Sequence, residues 1–246
     1  MIFPRRLEPE LLDQMAADDP RAIRVRRDLR VVNAFMRNAQ CMASALKKNA
    51  AGRQPHTIVD LGSGDGRVML QVARQLAKFW PGVKLILVDQ QNIVSDATRA
   101  GFAALNWSVE TVRADVFDFL IDPRAQSVDI VTSNLFLHHF DNERLARLLA
   151  AAANTAWLVV ACEPRRSKFV VRASRLLWMV GCSRETVHDA VVSARAGFTA
   201  EELGALWPSR EYWELNEQPA AIFTHCFAAR RAASAMDHPS NGHGRG

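Results

Sequence analysis

The residues with the clearest chemical pattern lie in one glycine-rich segment, Thr57-Ile-Val-Asp-Leu-Gly-Ser-Gly-Asp-Gly66. Its glycines, Gly62, Gly64 and Gly66, follow an apolar run and precede an amphipathic stretch. Glycine lets the chain turn tightly and lets a ligand approach the backbone, and the first turn of a helix offers free amide groups. The segment predicts a ligand-binding loop between a strand and a helix, with Ser63 inside it.

The spacing of the glycines separates two classes of ligand. Dinucleotide-binding loops follow G-x-G-x-x-G, whereas this loop is G-x-G-x-G and comes after Asp60. An acidic residue beside a pyrophosphate is repulsive. S-adenosylmethionine (SAM) has no phosphate, and its ammonium group is a partner for Asp60, directly or through water. A nicotinamide-dependent (NAD(P)-binding) oxidoreductase or a nucleotide-binding module without catalysis stays the alternative.

With this acid and spacing, the segment resembles the first motif of the class I SAM-dependent methyltransferases. The resemblance implies a Rossmann-like fold, SAM as cofactor and S-adenosylhomocysteine (SAH) as product. It also implies that Asp115 faces the exocyclic amine of adenine and that Val116 packs on the ring. In a doubly wound fold, Asp89 at the end of the next strand would accept hydrogen bonds from the ribose, with Gln90 beside it, and Asn134 would lie near the cofactor.

The acceptor side is predicted from the segment that begins at Asn134, Asn-Leu-Phe-Leu-His-His. It resembles the corresponding stretch of small-molecule methyltransferases of the quinone- and polyketide-tailoring type. His138 and His139 are candidates for a general base or for orienting an acceptor hydroxyl. The segment is not the N-P-P-Y type of DNA-base and protein-amide methyltransferases, and no cluster of strand-end acids indicates a metal.

The expected reaction is therefore O-methylation, or C-methylation, of a phenolic, quinone or polyketide-like small molecule. An RNA or protein methyltransferase is the alternative. Phe35 and Met36 are candidate apolar contacts from the N-terminal helices, and Arg165 and His188 are candidate lining residues from a later helical region. His188 and its neighbour Asp189 are not expected to face each other on a helix.

A run of large apolar residues in that later region favours core packing, with an apolar lid as the second interpretation. The run consists of Leu176, Leu177, Trp178 and Met179.

The elements that must position these residues follow from the alternation of short apolar runs with amphipathic stretches. This alternation predicts a doubly wound α/β fold whose mostly parallel seven-stranded sheet ends in an antiparallel hairpin. Residues 1–52 are predicted to form an N-terminal helical cap, helical over 8–50, and residues 53–231 the methyltransferase domain. A helical insertion over about 165–206 is expected to roof the acceptor pocket, and residues 232–246 to be disordered.

Composition limits the remaining classes. The chain has 246 residues, 49% hydrophobic and 23% charged, with a formal net charge of +5. No run of about 18 apolar residues indicates a membrane span, and the beginning lacks a secretory signal, so a cytoplasmic enzyme is expected. The basic residues are spread along the chain, which makes a nucleic-acid partner unlikely. Monomer and homodimer both stay open.

Overall fold

The computed structural model describes residues 3–232, and the predicted tail disorder lies almost entirely outside these residues. A sheet of seven strands forms the centre, in the order β3-β2-β1-β4-β5-β7-β6. Strands β1 to β5 are parallel, whereas β7 runs antiparallel to both β5 and β6. The strands are β1 (Thr57–Leu61), β2 (Lys84–Asp89), β3 (Ser108–Arg113), β4 (Ile130–Asn134), β5 (Leu158–Pro164), β6 (Trp213–Pro219) and β7 (Thr224–Arg231). The predicted fold class is confirmed.

Helices cover both faces of this sheet. They are α1 (Pro20–Met36), α2 (Asn38–Asn49), α3 (Arg67–Leu76), α4 (Asp96–Ala103), α5 (Val116–Leu120), α6 (Asn142–Thr155), α7 (Lys168–Ser174), α8 (Arg184–Ala196) and α9 (Glu202–Leu206).

The central strands are buried on both faces, as their continuous apolar sequences predict. Ile58 on β1 and Ile130 on β4 are paired in register and pack into one core layer. The next residues, Val59 and Val131, are also paired and pack into the layer on the opposite face. Side chains alternate between the faces of a strand, so two cores hold the sheet between them.

The carboxyl ends of the parallel strands meet at one edge of the sheet. β1 pairs with β2 on one side and with β4 on the other, and the chain changes winding direction between β1 and β4. Open α/β sheets bind their ligands at such a switch point. The predicted cofactor residues follow or end these strands, so the topology brings them to a common edge.

The N-terminal region differs in part from the predicted continuous helical region. Asp19 caps α1, its Oδ1 accepting a hydrogen bond from the Arg21 amide at 2.8 Å, and Pro20 is the first helical residue. Residues 8–11, however, are not helical, and a single 3₁₀ turn follows over Leu12–Gln14. We call residues 3–15 the strap.

The strap crosses the sheet edge because distant groups hold it there. The Arg5 guanidinium donates hydrogen bonds to the carbonyls of His138, Phe140 and Ala196. These interactions come from tertiary packing, which explains why helical periodicity misjudged the segment.

The apolar run of the insertion is not part of the core. Leu176, Trp178 and Met179 are more than half exposed. Leu176 immediately precedes, and the other two lie in, a 3₁₀ turn over Leu177–Val180 that follows α7. One side of this turn packs on α8, which leaves the other apolar side chains at the surface. The expectation of core packing was wrong for these three residues.

Among the described helices, none is long and apolar enough to cross a membrane, and a cytoplasmic location stays a prediction.

Candidate active site

The glycine loop is attached to the end of β2 through its backbone. The amides of Gly62 and Ser63 both donate to the Val88 carbonyl, at 3.0 and 3.1 Å, and the Gly64 amide donates to Oδ2 of Asp89 at 2.9 Å. The other carboxylate oxygen of Asp89 accepts from the Gln91 amide at 2.8 Å. The structure thus brings together the loop and the predicted ribose residue.

Gly62 cannot be replaced by a larger residue without rearrangement. Its φ of +68° lies in the left-handed region, and an added Cβ would lie 2.4 Å from the ring of Phe136. Phe136, in the loop after β4, packs directly on the Gly62 backbone. The first glycine is therefore required both by the turn and by this close approach.

Asp60 lies under the loop and is buried. Its Oδ1 accepts a hydrogen bond from the Thr132 hydroxyl at 2.8 Å. Burial raises the pKa of Asp60 to about 7 and the nearby charge of Asp89 adds to this, while the Thr132 hydrogen bond acts in the opposite direction. An ammonium group placed beside Asp60 would favour the ionised carboxylate.

Three buried side-chain atoms near the ends of β1 and β4 have no hydrogen-bond partner: Ser63 Oγ, Ser133 Oγ and Asn134 Oδ1. Buried polar atoms are normally satisfied, so their concentration at this edge fits a site for a polar ligand. The Asn134 amide nitrogen donates to Oδ1 of Asn33 on α1 at 3.3 Å. The residues present therefore suit the zwitterionic methionine end of SAM.

A narrow cleft beside the loop extends between β2 and β3, with Ser63, Asp89 and Val112 in its lining. The Gln90 side chain donates to Oδ2 of Asp115 at 3.2 Å, at the rim of this region. Asp115 also caps α5 by accepting from the Phe117 amide at 2.8 Å.

Val116, the predicted ring contact, is buried. A larger cavity of about 440 Å³ lies between α2 and the β6–β7 hairpin. None of its lining residues belongs to the glycine loop, so the cleft is the better candidate for adenosine.

On the acceptor side, His138 lies between two carboxylates. Its Nδ1 is 2.7 Å from Oε2 of Glu163, and its Nε2 is 3.2 Å from Oε1 of Glu10 in the strap. Glu163 is fully buried, and its Oε1 also accepts from the amides of Phe136 and Leu137. We call Glu10, His138 and Glu163 the histidine cluster.

The two carboxylates determine the charge of His138. Burial alone would lower its pKa, but the hydrogen bonds and negative charges of Glu10 and Glu163 raise the pKa to about 9. For Glu10, burial opposes ionisation, yet the hydrogen bonds from His138 and Ser193 and the nearby histidines lower its pKa below the usual value. The cluster is therefore an imidazolium between carboxylates at neutral pH.

His139 has a different environment from its neighbour. Its side chain is 23% exposed, with Nδ1 3.1 Å from Oδ2 of Asp13 in the strap. Its ring lies 4.4 Å from that of His138 and 6.2 Å from that of Phe136, which contacts the glycine loop. His139 is thus the more accessible of the two histidines.

Metal binding was not expected, and that expectation stays untested. Ligand atoms of Glu10, His138 and His139 all lie within 4.8 Å of one another. The ion pairs to His138 and His139 account for this proximity without a cation.

The remaining predicted acceptor contacts are dispersed. Phe35 is exposed, whereas Met36 is buried and its carbonyl accepts from the Thr224 hydroxyl at 2.7 Å. Arg165 donates its amide to the Phe223 carbonyl. His188 is half exposed and, contrary to expectation, contacts Asp189, with 3.1 Å between Nδ1 and Oδ1.

Sequence reasoning missed the strap residues Glu10 and Asp13. Glu10 is 128 positions from His138 along the chain, and nothing local in the sequence marks it as a partner. Asp189, which accepts from the amides of Leu11 and Leu12, anchors the strap in the same non-local way.

Comparisons with known proteins identify a methyltransferase domain and a shared fold. A family model described as a methyltransferase domain matches residues 58–156. The structure is similar to the plantazolicin methyltransferase BpumL in complex with SAH, with 14% identity and a TM-score of 0.63 over 90% of this chain and 94% of that one. A search of curated proteins finds no match.

Two further solved structures share the fold. An O-methyltransferase family protein from Burkholderia thailandensis is 20% identical, with a TM-score of 0.55, over 88% of this chain and 61% of its own. The magnesium protoporphyrin IX methyltransferase ChlM from Synechocystis PCC 6803, with bound SAM, is 12% identical, with a TM-score of 0.52, over 85% of this chain and 84% of its own.

The fold and the matched segment define a class I methyltransferase. Residues 58–156, which match the methyltransferase-domain model, contain the glycine loop and the histidine pair, and the predicted domain bounds of 53–231 stay a prediction. The glycine spacing and Asp60 predicted a SAM-dependent methyltransferase, and the matched methyltransferase domain and the shared fold confirm this prediction.

Proposed function

We propose that this enzyme transfers the methyl group of SAM to a small phenolic, quinone or polyketide-like acceptor, at oxygen or at carbon. The observation that carries the proposal is the set of unpartnered buried polar atoms, Ser63 Oγ, Ser133 Oγ and Asn134 Oδ1, beside the glycine loop. They supply hydrogen-bonding capacity where the topology places a ligand.

Each part of SAM is assigned to a different group of residues. The ammonium group is assigned to Asp60 and Asn134, and the ribose hydroxyls to Asp89. Asp89 has its two oxygens oriented by the amides of Gly64 and Gln91, which fixes the carboxylate for this contact. Adenine is assigned to the cleft beside Asp115 and Val116. Gly66 immediately precedes α3 and has a φ of +71°. A Cβ added at this position would lie 2.8 Å from the Leu87 side chain, so the site requires glycine here.

The reaction is a direct displacement. The acceptor's electron pair forms a bond to the methyl carbon, the carbon–sulfur bond breaks, and its electrons neutralise the sulfonium to give SAH. A hydroxyl or enol acceptor also loses one proton to a base. Because SAM is already reactive, the protein contributes alignment, exclusion of water and proton removal.

Of the two candidate bases, His139 has the more suitable surroundings. Both ring nitrogens of His138 are engaged by carboxylates, and its raised pKa keeps the ring protonated at neutral pH. His139 has an accessible ring, oriented by Asp13. We therefore assign proton removal to His139 and the positioning of the loop over Gly62 to His138.

The small-molecule class is supported by two proteins of similar structure, a plantazolicin methyltransferase and a magnesium protoporphyrin IX methyltransferase. The two names specify different acceptors, so they favour the small-molecule class and do not identify the compound. An RNA or protein acceptor is the competing hypothesis.

The test is transfer of a radiolabelled methyl group from SAM to three pools: extracted small molecules, RNA and protein. We expect label in the small-molecule pool alone. Label in RNA or protein, with none in small molecules, would refute the proposal.

The role of His139 as general base is tested with the pool of molecules that accepts the label. His139→Ala should keep SAM affinity and lose most turnover, on the order of 100-fold or more for a lost general base. His56→Ala, an exposed histidine at the other end of β1, should keep both. Full turnover in His139→Ala would remove His139 from the mechanism.

A further inference from the structure

The insertion has a charge pattern that the proposed reaction does not use. Residues 165–184 contain six arginine or lysine residues and no aspartate or glutamate. Arg166 is buried against Glu202, with 2.5 Å between Nη2 and Oε1, but Arg172, Arg175 and Arg184 are exposed. This stretch therefore presents positive charge to its surroundings.

The same stretch exposes an unusual amount of apolar surface. Trp178 is 64% exposed and Met179 66% exposed, and Phe169, Leu176 and Val180 are each at least half exposed. Contiguous apolar patches on proteins mark interaction sites more often than isolated apolar residues do.

A contact with one other region extends this patch. The rings of Phe169 and Phe223 stack with 6.1 Å between their centres, and the neighbouring Ile222 is 61% exposed. The patch therefore includes the segment that leads into β7.

We call these residues the basic apolar surface: Phe169, Arg172, Arg175, Leu176, Trp178, Met179, Val180 and Ile222. The surface adjoins the carboxyl end of β5 and the start of β7, which are paired. It therefore lies at the edge of the sheet that carries the active site.

We propose that the basic apolar surface binds the headgroup region of an anionic lipid bilayer. Trp178 and Met179 enter the boundary between headgroups and acyl chains, while Arg172 and Arg175 contact lipid phosphates. Interfacial segments combine these residue types, with tryptophan and aliphatic side chains on one face and basic residues beside them.

Charge favours a bilayer over a second copy of this chain. In a two-fold symmetric dimer this surface would meet itself, which would bring two sets of exposed arginines together without acidic partners from residues 165–184. An anionic lipid surface is complementary both to the arginines and to the apolar side chains.

The experiment is flotation of the purified full chain with vesicles of phosphatidylcholine alone and of phosphatidylcholine with 30% phosphatidylglycerol. We expect binding to the anionic vesicles, weakened by salt, and little binding to the neutral ones. Trp178→Ala combined with Met179→Ala, and separately Arg172→Glu combined with Arg175→Glu, should each reduce the bound fraction at least tenfold.

Matched controls are Tyr212→Ala and Ile121→Ala, which shorten apolar side chains that are exposed elsewhere on the described chain. Both should bind vesicles as the wild type does. Unchanged SAM affinity in every variant reports an intact fold, so a loss of vesicle binding is then specific to the surface.

Three outcomes would overturn the proposal: no flotation with anionic vesicles, equal flotation with neutral ones, or flotation that the surface variants leave unchanged. A dimer that sedimentation equilibrium detects in the wild type, and that the Trp178 and Met179 substitutions abolish, would assign the surface to self-association if vesicles do not bind.

Discussion

The glycine loop and the histidine cluster lie at the same edge of the sheet, yet they are fixed in different ways. The loop is held by its backbone amides, which donate to the end of β2, the next strand along the chain. The cluster joins the strap, the loop after β4 and the end of β5 through charged side chains. Binding of SAM at the loop should therefore depend on the shape of the backbone. The contribution of the cluster to the stability of the fold should depend on charge.

The largest expected effect concerns the charge of Glu163. Glu163→Gln keeps the shape but leaves the His138 imidazolium without its closest counter-ion, so we expect a loss of about 3 to 5 kcal/mol in the free energy of unfolding. Urea denaturation measures it. The exposed Glu143→Gln should cost less than about 0.5 kcal/mol, and equal effects would contradict the importance of the buried pair.

The second prediction is the pH dependence of the same cluster. The folded state raises the pKa of His138 to about 9 from 6.5, so its stabilisation is complete below pH 6.5 and is lost as pH rises through 9. We expect the wild type to lose about 3 kcal/mol of unfolding free energy between these values. His138→Gln should lack this component, and equal slopes in urea titrations of both proteins would refute it.

The third prediction concerns the shape of the loop. Gly62→Ala places a Cβ against Phe136 in addition to the strain of a positive φ, and we expect SAM affinity to fall about 100-fold, since left-handed strain alone costs about 1 to 2 kcal/mol. Gly82→Ala is the matched control because its φ is +71° and its added Cβ meets nothing within 4 Å. Equal SAM affinity in the two variants would show that the contact with Phe136 is unimportant.

The smallest effect is expected at Asp60, which lies under the glycine loop but is a buried acidic side chain, as Glu163 of the histidine cluster is. Because its pKa is raised to about 7, the Asp60 carboxyl is protonated below neutral pH, and it must lose that proton when the ammonium group of SAM binds. We expect SAM affinity to rise about 25-fold from pH 5.5 to 7.5, in line with a tenfold change per pH unit below the pKa. Calorimetry in buffers of different ionisation enthalpy should detect the released proton. A pH profile shared with Asp60→Asn would exclude Asp60 as its source.

This contrast also explains how much the sequence could predict. The strand and helix order, the sheet with its C-terminal hairpin and the placement of Gly62 and Asp89 follow from local patterns, since strand ends converge by topology alone. The partners of His138 do not, because Glu10 and Glu163 approach it from distant parts of the chain. Trp178 was misjudged for a related reason: apolar character alone does not say whether another element covers a side chain.

SAM binding beside the end of β2 is the central property of this enzyme, and calorimetric titration measures it directly. We expect the wild type to bind SAM and SAH and not NAD, and Asp89→Ala to weaken SAM binding by about 1 to 3 kcal/mol, as expected when buried donors lose a charged acceptor. The exposed Asp118→Asn should bind SAM as the wild type does. Tight binding of NAD without binding of SAM would contradict the central claim.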